Sequence, residues 1–157
     1  MYATSPGTVG ANAYLRAVFI DQIDERVGQM MRTALKRRFH PTRTNAAYQY
    51  SLQISTTESI SELAVEKDAS TTRANLKLFA TFTLVRIADQ QVLHSGSVRG
   101  VASYNNLTSH FATQAAKKNA RKHAVDSIAD QLKTQITVYF NGPGQKQPPL
   151  GKVRAIQ

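Results

Sequence analysis

The chain has 157 residues, the length of one compact domain with a hydrophobic core. It carries 20 Lys and Arg residues against 10 Asp and Glu residues, so its formal charge is +10 with His neutral. This surplus favours an anionic partner, such as nucleic acid, lipid phosphates or an acidic protein surface. The absence of cysteine excludes a disulfide framework, a thiolate nucleophile and a cysteine-ligated metal site.

Composition divides the chain into three parts. The start, from Met1 to Gly7, lacks the basic and apolar regions of a signal peptide, and no apolar run reaches the roughly 18 residues of a membrane span. We therefore expect a soluble domain from which a targeting segment has been removed. Residues 1–14 are expected to be a flexible lead-in, residues 15–140 a single α+β domain, and residues 141–157 a disordered tail rich in Pro, Gly and Gln.

The domain begins with a short predicted strand and an amphipathic helix. Residues 17–20 are apolar and partly β-branched, which is typical of a strand. From Asp24 to Phe39, apolar residues recur with helical spacing, and Pro41 is expected to end the helix. The basic residues near its end have an ordinary explanation in the helix dipole and in solubility; they are Lys36, Arg37, Arg38 and Arg43.

Three strands are predicted next, joined by short turns into an antiparallel meander. In the first, Tyr48, Tyr50, Leu52 and Ile54 alternate with polar residues and are expected to face the core. The others cover about residues 76–85 and 92–103, with a turn at Asp89 and Gln90. Gly96 and Gly100 are expected to weaken the last strand or to host a bulge.

The face of the meander that points away from the predicted core is polar and has few carboxylates. Its residues are Gln49, Ser51, Gln53, Lys77, Thr81, Thr83, Ser95, Ser97 and Arg99. An ordinary solvated β-face is one interpretation. The other is a face that lies against another polar protein surface, such as the lumen of a large barrel.

A second helix is predicted from about Ser109 to Phe140. Its first half carries a basic cluster formed by Lys117, Lys118, Arg121 and Lys122. At about 100° per residue, this cluster shares the azimuth of the apolar stripe in the second half. We therefore expect either that the stripe rotates along the helix or that the first half overhangs the sheet and presents its cations to a ligand.

No motif indicates catalysis. The four histidines, His40, His94, His110 and His123, lack metal-ligand spacing, and no Walker loop, nucleophile elbow or dinucleotide-binding motif occurs. We expect a protein that is not an enzyme and that has no cofactor and no metal. His94 and His110 are expected to be structural.

Several local features together resemble a known family. They are the basic helix end with Pro41, Arg73-Ala74-Asn75-Leu76, Ala80-Thr81-Phe82-Thr83-Leu84, Gly96, Ser103-Tyr104-Asn105, Phe111-Ala112 and the Ala-rich helix ending in Val138-Tyr139-Phe140. Over about residues 16–140 the chain resembles the LPS-assembly lipoprotein family LptE (RlpB), in its alphaproteobacterial form. The resemblance implies two α-helices packed on one face of a four-stranded mixed or antiparallel sheet, in the order β-α-β-β-β-α.

The resemblance also implies a function. LptE-like proteins are outer-membrane lipoproteins that fill the lumen of the LptD β-barrel from its periplasmic side, help it to assemble and assist lipopolysaccharide insertion. The expected partners are therefore one LptD-type barrel per chain, lipopolysaccharide, and the membrane through an N-terminal lipid anchor. Family members begin with a lipidated Cys that the given sequence lacks, so we expect that signal peptide and anchor have been removed.

Two sets of residues are candidates for these contacts. By their charge, Lys67, Arg73, Lys117, Lys118, Arg121 and Lys122 are candidates for binding lipopolysaccharide phosphates. The candidates for barrel contact are Gln49, Ser51, Gln53, Thr81, Thr83, Ser97 and Arg99. The alternative is a basic RNA-binding or ribosome-associated module, which the predicted sheet disfavours because its aromatics share the core face instead of forming a stacking platform. We therefore expect no nucleic acid partner.

Overall fold

The protein is a two-layer α+β domain. The computed structural model describes residues 13–40, 47–62, 72–106 and 109–142. A helical turn at residues 13–16 is followed by β1 (Val18–Ile20), α1 (Glu25–Phe39), β2 (Tyr50–Glu62), β3 (Thr72–Arg86), β4 (Val92–Asn106) and α2 (His110–Asn141). The sheet order is β1-β2-β3-β4, with β1 parallel to β2 and the other pairs antiparallel. The predicted fold class and element order are confirmed.

The parallel pair explains why α1 lies where it does. A parallel connection between neighbouring strands needs a crossover, and α1 supplies it between β1 and β2. The basic end of α1 is tied to α2: Arg38 donates from Nε to Asp130 at 2.6 Å and lies 3.5 Å from Asp126. The hydrogen bond to Asp130 raises the pKa of Arg38. Arg38 therefore holds the two helices together, beyond the ordinary dipole role expected for it.

The core lies between the sheet and the two helices. Because side chains alternate along a strand, every second residue of β2 and β3 points to the helices. Large side chains that are fully buried there are Leu52, Leu76, Leu78, Phe82 and Leu84 from the strands, with Met31, Leu35, Ile128 and Leu132 from the helices. Ser109 caps α2, since its hydroxyl accepts a hydrogen bond from the Ala112 N–H. No buried side-chain polar atom in the described part of the chain lacks a hydrogen-bond partner.

From Ala120 onward α2 packs closely on the sheet, whereas residues 110–119 include no buried residue and Phe111 is 85% exposed. The buried stripe begins with the small residues Ala120 and Ala124 and rotates along the helix, so the structure combines the two expected arrangements. A Cβ atom added to Gly100 of β4 would lie 2.6 Å from the Ala124 carbonyl oxygen. Gly100 thus allows the helix backbone to approach the strand.

Some details differ from the sequence predictions. Tyr48 was expected in the core, but it precedes β2, is 49% exposed and packs edge-on against Phe19. The β-bulge lies at Leu84 and Val85, where β3 opposes the start of β4, and not at the glycines of β4. The predictions for Pro41 and Arg43, for residues 1–12 and for residues 143–157 lie outside the described residues. Tyr14 stacks on Phe140 with ring centroids 4.6 Å apart.

Candidate functional site

The sheet has one face that neither helix covers, here called the open face. It is formed by the odd-numbered residues of β2 and β3 and, after the bulge, of β4. Six of the seven residues predicted to contact a barrel lie on it: Ser51, Gln53, Thr81, Thr83, Ser97 and Arg99. The seventh, Gln49, precedes β2, and its backbone bonds to Ala17 and Ile87. The structure therefore brings this set together on one surface.

The charged side chains on the described part of the open face are all cationic. Arg73, Lys77 and Arg99 project from β3 and β4 on this side. None of the described strand residues on this face is a carboxylate, because both acids of β2, Glu58 and Glu62, share the parity of the buried Leu52. Hydroxyl and amide groups supply most of the remainder. The face can therefore accept an anionic or polar surface without repulsion between like charges.

An amphiphilic area lies in the middle of this face. Phe79 of β3 opposes Arg99 of β4, and the next residue pair on the same face is Lys77 with Val101. Phe79 is 42% exposed and Val101 is 53% exposed. The alternation of residues in the sequence placed Lys77 and Arg99 on this face, whereas the cross-strand pairs depend on the strand register.

The basic cluster of α2 is divided by the structure. Arg121 donates from Nε and Nη2 to both carboxylate oxygens of Glu58, at 2.6 and 2.7 Å, and each side chain is 20% exposed. These hydrogen bonds lower the pKa of Glu58, the nearby charge of Lys117 acts in the same direction, and the hydrogen bond to Glu58 raises the pKa of Arg121. Arg121 is thus a structural cation that fastens α2 to β2.

The other cations of this cluster remain accessible. Lys118 and Lys122 are exposed, and Lys117 is partly exposed. Lys122 lines a groove of about 320 Å³ between the helices, together with Arg26 and Arg37 of α1.

The cations predicted to bind lipopolysaccharide do not form one site. Arg73 projects from the open face, whereas the α2 lysines lie in the helix layer on the other side of the sheet. Lys67 lies outside the described residues. A single phosphorylated head group therefore cannot be held by Arg73 and the α2 lysines together.

The described histidines and helices provide neither a metal site nor a membrane-spanning segment. His94 packs between the rings of Phe82 and Tyr139, stacked on Tyr139 with centroids 5.2 Å apart. In the described ranges, no group of three potential metal ligands comes together. None of the described helices combines the length and the hydropathy needed to cross a membrane.

Comparisons with known proteins show which family model the sequence matches and which solved structures the fold resembles. The LptE family model, which describes lipopolysaccharide-assembly proteins, matches residues 14–137. A candidate lipoprotein from Caulobacter crescentus CB15 has a similar structure, with a TM-score of 0.70 at 16% identity, covering 85% of this chain and 98% of that one. The comparison with curated proteins found no significant match.

Two further solved structures share the fold. A minor lipoprotein from Acinetobacter baumannii has a TM-score of 0.57 at 15% identity over 78% of this chain and 92% of its own. The rare lipoprotein B from Shewanella oneidensis has a TM-score of 0.54 at 11% identity over 79% of this chain and 96% of its own. At these identities the likeness concerns the fold.

Proposed function

Because this chain belongs to the LptE family of lipopolysaccharide-assembly proteins, we propose that it is an outer-membrane lipoprotein that fills the lumen of an LptD-type β-barrel. In this role it acts from the periplasmic side, helps one barrel to assemble and assists the insertion of lipopolysaccharide into the outer leaflet. It works by binding and not by catalysis. The family match speaks for this envelope function over the RNA-binding alternative.

The observation that carries the barrel contact is the open face, whose described strand residues include no carboxylate. The lumen of a large outer-membrane barrel is polar. The hydroxyl and amide groups of Ser51, Gln53, Thr81 and Thr83 can exchange their hydrogen bonds to water for hydrogen bonds to such a wall. Arg99 adds a charge that suits an acidic wall residue.

Charge reversal on the open face tests this contact. We expect Arg99→Glu to reduce the amount of LptD-type barrel that co-purifies with the full chain from mild detergent. Lys36→Glu is the matched control, since it makes the same change of charge at an exposed position of α1. Equal recovery of the barrel by Arg99→Glu, Lys36→Glu and the unchanged chain would contradict contact through the open face.

The lipopolysaccharide contact is assigned to the accessible lysines of α2. Lys118 and Lys122 are exposed, one turn apart, and can donate charge-assisted hydrogen bonds to lipid A phosphates. Arg121 already forms an ion pair with Glu58. It should not be substituted in this test, because its replacement would also weaken the attachment of α2 to β2.

Two double variants with the same change of charge separate the two groups of cations. Lys118→Glu with Lys122→Glu should weaken lipopolysaccharide binding by about tenfold or more, as the loss of two charged hydrogen bonds predicts. Arg73→Glu with Lys77→Glu should weaken it much less. Binding to immobilised lipopolysaccharide, measured by surface plasmon resonance, decides between them. The opposite ranking would move the contact to the open face.

A further inference from the structure

The outer edge of β4 carries backbone hydrogen-bonding groups that have no partner among the described residues. Two hydrogen bonds show which backbone groups face β3 and which face outward. The Arg86 N–H donates to the Gln91 carbonyl where β3 turns into β4. Gln131 of α2 donates from Nε2 to the Arg99 carbonyl at 2.8 Å, so this carbonyl points away from β3. Backbone groups of alternate residues in an antiparallel strand point to opposite sides. Those of Ser95, Ser97 and Arg99 therefore point away from β3. Within the described ranges, no hydrogen bond reaches the outward groups of Ser95 and Ser97.

An apolar groove runs beside this edge. It has a volume of about 510 Å³ and lies between the start of β4 and the last turns of α2. Its lining residues are Leu93, His94, Thr134, Gln135, Val138 and Tyr139. Val138 is 63% exposed, although it is apolar. Gly96 lies beside the groove on the helix side of β4, where a Cβ atom would lie 3.1 Å from the Phe82 ring and 3.5 Å from Gln135 Oε1.

The combination of a free strand edge and an adjoining helix groove suits an extended peptide. In β-augmentation, backbone hydrogen bonds to the edge supply affinity, and pockets for alternate side chains supply specificity. We propose that the edge of β4 between Val92 and Ser97 binds an extended segment of another protein as a fifth strand of the sheet. Gln131 marks the end of this site, because it already occupies the next outward carbonyl, that of Arg99.

The surroundings define the chemistry of the segment. Side chains of the added strand that point towards the helices enter the groove, so a bulky apolar residue belongs there. Side chains of the added strand that point to the open face come near Arg99. Arg99 makes no ion pair with a described residue, and the described strand residues of the open face include no carboxylate. A carboxylate therefore belongs at those positions. A second copy of this chain is a poorer occupant, because each copy carries a charge of +10. The inference stands independently of lipopolysaccharide binding.

The direct test uses the full chain and a fluorescein-labelled hexapeptide that alternates glutamate with leucine. Fluorescence anisotropy should show saturable binding, and a peptide with lysine in place of glutamate should bind more weakly. In amide NMR spectra, the Ser95 and Ser97 N–H groups should shift and exchange more slowly with bound peptide. Absence of saturable binding, or shifts elsewhere on the chain only, would overturn the proposal.

Ser97→Pro is the diagnostic variant. It removes an outward N–H that no described hydrogen bond uses, so the edge strand tolerates it. We expect peptide binding to weaken by about tenfold or more, since an edge hydrogen bond is lost and the proline ring obstructs the edge. Ser97→Ala keeps the N–H and should bind like the unchanged chain. Val138→Asp, a second and independent variant, places a charge in the groove and should also weaken binding.

Three results would reject the proposed occupant or site. Equal peptide affinity for Ser97→Pro, Val138→Asp and the unchanged chain would show that the peptide binds elsewhere. A dimer in sedimentation that Ser97→Pro converts to a monomer would identify a second copy as the occupant. Slow exchange of the Ser95 and Ser97 amides in the free monomer would show that the chain covers its own edge.

Discussion

Removal of the ion pair between Arg121 and Glu58 should destabilise the domain by about 2 kcal/mol. Exposed ion pairs contribute about 0.2–1 kcal/mol, whereas breaking a fully buried pair costs about 3–5 kcal/mol. Here both side chains are 20% exposed and are joined by two hydrogen bonds of 2.6 and 2.7 Å, so the value lies between these limits. For a domain of this size, the melting temperature should fall by about 4–8 °C in Arg121→Met.

A double-mutant cycle isolates this contribution. Urea unfolding of Arg121→Met, Glu58→Gln and the double variant should show that the second substitution costs little once the first has been made. Arg37→Met is the matched control, because Arg37 lies 3.9 Å from Asp126 and is 66% exposed, so its loss should cost little. A coupling free energy near zero, with Arg121→Met no less stable than Arg37→Met, would refute the structural role of Arg121.

The same pair predicts a dependence on pH. Its hydrogen bonds lower the pKa of Glu58 in the folded chain, so its contribution is complete above the ordinary pKa of a glutamate. This contribution disappears as the pH falls through the lowered pKa of folded Glu58. The stability difference between the unchanged chain and Glu58→Gln should therefore be large at neutral pH and shrink in acid. A difference independent of pH would show that the carboxylate charge contributes nothing.

Three further substitutions probe the packing, each by urea unfolding. Gly100→Ala should destabilise by about 1–3 kcal/mol, because the new Cβ would lie 2.6 Å from the Ala124 carbonyl oxygen; an unchanged midpoint would mean that α2 does not approach the strand so closely. Leu132→Ala should cost about 2–5 kcal/mol, since Leu132 is fully buried, and a smaller loss would place it outside the core. Arg38→Met should cost about 1 kcal/mol through its lost bond to Asp130, with Asp130→Asn as the reciprocal test.

Local patterns in the sequence determined most of the architecture. The alternation in residues 48–55 and 76–85 predicted strands and their buried side, and the helical spacing from Asp24 to Phe39 predicted α1. These predictions succeed because side chains repeat every two residues in a strand and about every 3.6 in a helix, so a few neighbouring residues suffice. The open polar face followed from the same alternation. The prediction that Tyr48 is buried was wrong because Tyr48 lies before the strand begins, where the alternation no longer applies.

The roles of the cations were decided by the tertiary structure alone. Arg121 and Lys122 are neighbours in one basic cluster, yet Arg121 pairs with Glu58, which lies 63 positions away, while Lys122 is exposed. Strand register likewise placed Phe79 beside Arg99, and β4 lies at the edge of the sheet that the described strands form. A local pattern reports which side of an element a residue occupies. Which charges meet depends on how distant elements pack, and that follows from burying their apolar faces together.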